Sequence, residues 1–124
     1  MILGLGLDLA KVARIQQAWE RFGVRFIQRC FTPAEAALCL GRPRPASALA
    51  MRFAAKEAFA KAAGLGMRGL AWREIEVAHE PGGRPYLVLH GRAAAWAAAH
   101  GLAASHVSLT DDGEYAAAVV VLEK

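Results

Sequence analysis

The stretch Leu3-Gly4-Leu5-Gly6-Leu7-Asp8 decides how this chain of 124 residues begins to fold. Leucine alternates with glycine or aspartate, and a period of two is the spacing of side chains along a β-strand. The pattern therefore predicts a first strand with one face almost bare of side chains. We expect backbone or a ligand to approach that bare face closely.

The hydrophobic period then changes from two to three and four. Apolar residues recur at helical spacing: Leu9, Val12, Ile15, Trp19, Phe22 and Phe26. This spacing predicts an amphipathic helix, or two helices interrupted near Gly23. The arginines of this segment fall off the apolar stripe: Arg14, Arg21, Arg25 and Arg29.

The middle of the chain predicts two more helices. The segment Thr32-Pro33-Ala34-Glu35 combines a capping threonine, a proline at the first helical position and a glutamate at the third. It predicts a helix that runs to about Leu40. The basic segment 41–45 is expected to form a stiff loop, because its prolines cannot continue a helix. Ser47 is expected to cap a longer helix that reaches about Ala63 and stops at Gly64.

The last third of the chain predicts a mostly antiparallel arrangement. Strands are expected at 75–79, 86–90, 105–110 and 115–122, and an alanine-rich helix at 92–100. The last two strands form a hairpin around Asp112-Gly113. We find no internal repeat or linker. The chain is therefore predicted to be a single domain over residues 1–124, of the α+β class, with helices packed on a small sheet.

The charge balance favours anionic partners. Fifteen lysines and arginines against eleven acidic residues give a net charge of +4. A positive charge of this size suits an acidic protein or a phosphorylated cofactor as the partner. The basic residues are not concentrated as they are in a nucleic-acid-binding protein. Cys30 and Cys39 have neither zinc nor disulfide spacing, so reduced thiols are expected. The N-terminal segment has no basic leader and Asp8 interrupts its apolar run, so we predict a cytoplasmic protein without a membrane span.

Two polar features of the sequence are candidates for a functional site, and each also has an ordinary structural explanation. Asp8 is expected where the first strand meets a helix, either as the N-cap of that helix or as part of a metal or phosphate site. Helical spacing aligns Phe53, Glu57, Lys61 and Gly64 along one helix face. Glutamate four residues before lysine is also the favoured order for a surface ion pair.

A third polar feature lies in the predicted last hairpin. Alternation sends His106, Ser108 and Thr110 to one face of their strand, and Val107 and Leu109 to the other. A solvated outer face of an antiparallel sheet gives the same pattern.

Together these segments resemble the small holo-acyl-carrier-protein synthases, which are 4'-phosphopantetheinyl transferases. The first signature is Gly4-Leu5-Gly6-Leu7-Asp8-Leu9 followed by Val12-Ala13-Arg14-Ile15, and the second runs from Arg52-Phe53 through Lys56-Glu57 to Lys61-Ala62. The segments Gly83-Arg84-Pro85-Tyr86 and His106-Val107-Ser108-Leu109-Thr110, then Glu114-Tyr115-Ala116, fit later parts of the family pattern. The resemblance spans essentially the whole chain.

The resemblance implies a magnesium-dependent enzyme that transfers 4'-phosphopantetheine from coenzyme A to a serine of apo acyl carrier protein. Adenosine 3',5'-bisphosphate is released, and the product supports fatty acid synthesis. Asp8 and Glu57 are implied as metal ligands, with Lys61 as a third catalytic residue facing the same diphosphate. Glu57, or a water held between metal and carboxylate, is the candidate acceptor of the serine proton. The implied coenzyme contacts are Arg52, Phe53, Lys61, Gly64, Arg84, Pro85, His106, Ser108 and Thr110.

The resemblance also implies protein partners. Arg14, Arg21 and Arg25 would dock the acidic carrier protein, and a homotrimer would form its active sites between subunits. Arg42 and Arg44 are weaker coenzyme candidates, Asp111 stands where many relatives carry histidine, and no role is predicted for His79, His90 and His100. Two other functions remain open: a basic nucleic-acid-binding module, which would need exposed stacking aromatics, and a trimeric scaffold without activity.

Overall fold

The computed structural model describes residues 1–124 and has the predicted α+β architecture. The strands are β1 (Ile2–Lys11), β2 (Ile75–His79), β3 (Pro85–Leu89), β4 (Ala104–Asp111) and β5 (Tyr115–Glu123). The helices are α1 (Val12–Phe22), α2 (Val24–Cys30), α3 (Pro33–Leu40), α4 (Pro45–Ala62) and α5 (Gly91–Ala99), with a 3-10 turn at Trp72–Glu74. No helix is long and apolar enough to cross a membrane.

The strands form two antiparallel groups around helix α4. One is a three-stranded sheet in the order β1-β5-β4, and the other is the β2-β3 hairpin. Helix α4 packs across β1 and β5, and Phe59, Val120 and Leu122 are fully buried between helix and sheet. A second apolar cluster, around Phe31 and Leu49, joins α1, α2 and α3 to the N-terminal half of α4.

The glycine face of β1 is covered by the backbone of α4. A methyl group on Gly4 or Gly6 would overlap the carbonyl oxygen of Ala62 or Ala58. The two glycines therefore allow a helix to lie directly against the strand. The expected close approach of backbone is confirmed, and Leu5, Leu7 and Leu9 on the other face of β1 point outward.

The predicted boundary between the first strand and the first helix is wrong. β1 continues to Lys11 and stays paired with β5 to its end, where Lys11 lies opposite Tyr115. Asp8 is therefore a strand residue paired with Ala118, and it caps no helix. Leu9 belongs to the outer face of the sheet, because pairing with β5 outweighs the helical spacing that Leu9 shares with Val12.

The other boundaries need smaller corrections. The break at Gly23 and the capping box of Thr32 and Glu35 are confirmed. The N-cap prediction for Ser47 is wrong, because α4 begins at Pro45, whose fixed φ suits the first helical position. β3 and α5 each begin one residue earlier than predicted. Gly64 has φ 74° and follows the end of α4, as predicted.

Candidate active site

The first polar site lies between β1 and α4. Asp8 is nearly buried, and its Oδ1 accepts a hydrogen bond from Lys61 Nζ at 2.9 Å. The same ammonium donates to the backbone oxygen of Leu7 at 3.2 Å. Asp8 Oδ2 is buried without any hydrogen-bond partner. The glycines of β1 create this site, because they bring Asp8 against the helix that carries Glu57 and Lys61.

Two carboxylates face each other at this site. Burial, and then the charge of Asp8, raise the pKa of the Glu57 carboxyl above its usual value. Lys61 and Arg14 partly oppose this shift. The hydrogen bond to Asp8 in turn raises the pKa of Lys61. Two adjacent carboxylates, one with a free oxygen, form an arrangement that can accept a cation.

A cavity of about 390 Å³ opens beside the carboxylates. Asp8 and Glu57 line it together with Arg14 and two aromatic residues, Phe26 and Phe53. An adjoining apolar cavity of about 450 Å³ shares the two aromatic residues and carries Arg25 at its edge. The predicted catalytic pair and two members of the predicted arginine row thus lie along one continuous surface. Arg21 is exposed and lies over the ring of Phe22 on the same pair of helices.

The second polar site is a basic cavity of about 590 Å³ that shares no lining residue with the first. Its charged and polar lining consists of Arg42, Arg44, Ser47, Arg52, His79 and Asp111. Pro85 contributes to its wall. Three arginines against one aspartate make this cavity suited to a phosphate group.

Arg52 is the buried cation of this second cavity. Only 2% of it is exposed, and its guanidinium donates to the Ala48 carbonyl at 2.8 Å and lies 3.3 Å from His79 Nε2. Because Arg52 has no acceptor atom, the bond requires His79 to be neutral at Nε2. Burial and then the charges of Arg52 and Arg42 lower the pKa of His79, which favours that state. Arg52 Nε is buried and has no hydrogen-bond partner.

The remaining predicted residues lie apart from both cavities. Arg84 and His106 line a small recess of about 180 Å³, which also includes Pro85. Ser108 and Thr110 lie on the outer face of the sheet, opposite Val119 and Ala117. Within one chain, therefore, Ser108 and Thr110 are separated from Asp8 by the thickness of the sheet. Gly64 ends α4 one turn beyond Lys61.

That outer face continues into an exposed apolar surface on β1. Leu5, Leu7 and Leu9 are each 65% exposed. The register places them beside Val121, Val119 and Ala117 of β5, and these pair in turn with His106, Ser108 and Thr110 of β4. An aliphatic row and a polar row thus share one sheet face.

Two polar contacts near these sites were not predicted from the sequence. Lys56 and Glu35 form a fully buried ion pair at 2.8 Å, and Lys56 also donates to the carbonyls of Trp72 and Ile75. The capping motif indicated Glu35 only as a helix cap. No role was predicted for His79, and β2 brings it against Arg52 in the lining of the second cavity. No local pattern marks either contact, since each joins residues more than twenty positions apart.

Known proteins match this chain in both sequence and fold. A model of the 4'-phosphopantetheinyl transferase superfamily matches residues 4–120. The holo-[acyl-carrier-protein] synthase of Koribacter versatilis is 48% identical over 124 residues, which cover 99% of each chain. The crystal structure of the Neisseria meningitidis holo-[acyl-carrier-protein] synthase is similar over 100% of both chains, with a TM-score of 0.93 and 37% identity. The Helicobacter pylori holo-[acyl-carrier-protein] synthase in complex with coenzyme A has a TM-score of 0.85 and 29% identity over 96% of this chain and 99% of that one.

Proposed function

The chain belongs to the 4'-phosphopantetheinyl transferase superfamily, and we propose on this premise that it converts apo acyl carrier protein to the holo form. It transfers 4'-phosphopantetheine from coenzyme A to the carrier serine and releases adenosine 3',5'-bisphosphate. The observation that carries the proposal is the Asp8–Glu57–Lys61 cluster beside an open cavity. Relatives named holo-[acyl-carrier-protein] synthase match nearly the full chain and support it.

The two carboxylates suit magnesium. Asp8 Oδ2 is buried and unpartnered, and Glu57 adds a second hard oxygen donor. Magnesium usually binds one or two carboxylates and completes its shell with water and substrate phosphate. Asp8 and Glu57 would hold the ion, and its charge would stabilise the diphosphate as negative charge builds up there.

The side chains of the first cavity account for the remaining chemistry. The serine oxygen attacks the phosphorus that carries pantetheine, and the bond from that phosphorus to the leaving nucleotide breaks. Glu57, with its raised pKa, is suited to accept the serine proton directly or through a water. Lys61 is exposed enough to reach the leaving phosphate and offset its charge.

Coenzyme A would extend from this cavity to the second, basic one. Its nucleotide phosphates match the three arginines of that cavity, Arg42, Arg44 and Arg52. In one chain the two cavities are separate, and Ser108 and Thr110 lie on the outer sheet face. We propose that the complete site requires a second copy of the chain to bring these groups together.

A homotrimer would satisfy that requirement. The exposed row Leu5, Leu7 and Leu9 would be covered by a neighbouring subunit, with the polar row of β4 at the seam. Sedimentation equilibrium tests this: we expect a trimer for the native chain and a monomer for Leu7→Glu. A native monomer at micromolar concentration would contradict the assembly.

Carrier docking would use the surface of α1 and α2. Arg14 and Arg25 line the two adjoining cavities, and Arg21 is exposed nearby. An acidic carrier would be attracted to this row, with its serine directed towards Asp8 and Glu57. Because coenzyme A and the carrier are expected in the cytoplasm, we propose that compartment for the enzyme.

Mass spectrometry of an apo acyl carrier protein tests the proposed function. The carrier is incubated with the chain, coenzyme A and Mg²⁺, and we expect a mass gain of one phosphopantetheine. Asp8→Asn and Glu57→Gln should remove this gain while keeping the circular dichroism of the native fold. An unchanged carrier would point to an inactive scaffold, and normal turnover by either variant would refute the metal assignment.

A further inference from the structure

We propose that Lys61 acts as an internal cation that occupies the carboxylate site in the metal-free protein and competes with the metal ion for Asp8. The inference rests on the proposed function, because it assigns a metal to Asp8 and Glu57. It adds a second state for Lys61: paired with Asp8 before the metal binds, and free to meet substrate phosphate afterwards.

Lys61 is bonded directly to the carboxylate site. Its ammonium bonds Asp8 Oδ1 at 2.9 Å and the Leu7 carbonyl at 3.2 Å. These contacts place its positive charge beside the carboxylates of Asp8 and Glu57, in a site that Arg14 and Lys11 also line. Asp8 Oδ2 stays buried and unpartnered. The ammonium therefore pairs with one oxygen of Asp8 only, and the other oxygen has no protein partner that a metal ion would have to displace.

Asp8 and Lys61 differ strongly in burial. The Asp8 side chain is 9% exposed and is fixed within β1, whereas the Lys61 side chain is 55% exposed. Lysine has a flexible four-carbon stem, so the ammonium can leave Asp8 without any movement of the backbone. Exposed ion pairs shift an equilibrium by about 1.5- to 5-fold, and this half-buried pair is expected at the upper end of that range, which metal binding can overcome.

The charge of a bound metal ion would repel the ammonium of Lys61. A divalent ion on Asp8 and an ammonium on the same carboxylate repel each other at contact distance. Metal binding must therefore displace Lys61, and Lys61 must weaken metal binding. The displaced ammonium remains one helical turn from Glu57, on the side of the site where the diphosphate would lie.

The test measures binding of Mn²⁺ to the full chain by electron paramagnetic resonance, without coenzyme A or carrier. Lys61→Gln should bind Mn²⁺ about three- to fivefold more tightly than the native chain. This gain corresponds to the strength of the Lys61–Asp8 ion pair, which Mn²⁺ no longer has to break. Lys124→Gln removes the same unit of charge at the exposed C-terminus and should leave the affinity unchanged. Equal or weaker binding by Lys61→Gln would overturn the proposal, as would no binding by any of the three proteins.

Nuclear magnetic resonance of the lysine side chains gives a second readout. Titration with Mg²⁺ should move the Lys61 Nζ signal towards its position in Asp8→Asn, where the ion pair is absent. An unmoved signal at saturating Mg²⁺ would overturn the displacement. Because neither experiment contains substrates, a failure of phosphopantetheine transfer would appear only in the carrier assay and would remain distinguishable.

Discussion

Gly6→Ala tests the packing that creates the active site. A methyl carbon at Gly6 would lie 2.8 Å from both Ala58 C and Ala62 N, and closer still to the Ala58 oxygen. Non-bonded carbon atoms pack at about 3.5–4.0 Å, and the oxygen is closer than the carbon, so β1 and α4 would have to separate by more than about 1 Å. All three obstructing atoms are backbone, so rotation of a side chain cannot relieve the overlap.

The expected cost is about 3 kcal/mol, the upper end of the usual range for overpacked cores. Urea unfolding followed by tryptophan fluorescence measures it, at one fixed protein concentration because assembly would shift the midpoint. Gly82→Ala is the matched control, since a methyl group there meets nothing within 4 Å. The separation would also draw Asp8 away from Glu57, so the folded fraction should lose transfer activity. A Gly6→Ala protein as stable as Gly82→Ala would refute the close approach.

Three further predictions concern the core and the docking surface. Lys56→Met should destabilise the fold by about 3–5 kcal/mol because Glu35 is left as a buried charge without its cation. Adding Glu35→Leu should restore only part of the loss in urea unfolding, because it also removes the acceptor of the Thr32 and Val77 backbone N–H groups; a double variant no more stable than Lys56→Met would contradict this. Burial raises the pKa of the Cys39 thiol from 9.0 to about 11, so the folded chain keeps a proton that the unfolded chain loses. The free energy of unfolding should therefore fall as pH rises through 9 to 11, less steeply in Cys39→Ala; parallel curves would argue against the shift. Arg14→Glu should weaken carrier affinity far more than coenzyme affinity in isothermal titration, and equal losses would count against the docking surface.

The secondary structure was predictable wherever local chemistry decided it. The capping box at Thr32 and the glycine after α4 act through neighbouring residues, so the pattern alone located both helix ends. The end of β1 was not predictable, because pairing with β5 carries the strand past Asp8 to Lys11. Helical spacing from Leu9 was misleading. Leu9 lies three positions before Val12, as in a helix stripe, yet its side chain belongs to the exposed face of the sheet.

The candidate site was predictable only in part, for the same reason. Spacing aligned Glu57 with Lys61, and the family resemblance added Asp8. The contact between Lys61 and Asp8 spans 53 positions and requires the glycine packing of β1. The partnership of Arg52 with His79 likewise depends on where the β2-β3 hairpin lies against α4. Long-range contacts of this kind leave no periodic signal in a single sequence.

The central claim is that the Asp8 site of one subunit and the Arg52 cavity of another form a single active site. Subunit complementation tests it most directly: Asp8→Asn and Arg52→Met are each assayed alone, then co-expressed and assayed for carrier modification by mass spectrometry. Each variant alone should be inactive. Random assembly would place a native Asp8 beside a native Arg52 in about one quarter of the interfaces, so activity should return to roughly that fraction of the native value. Mixed trimers no more active than the separate variants would contradict the account.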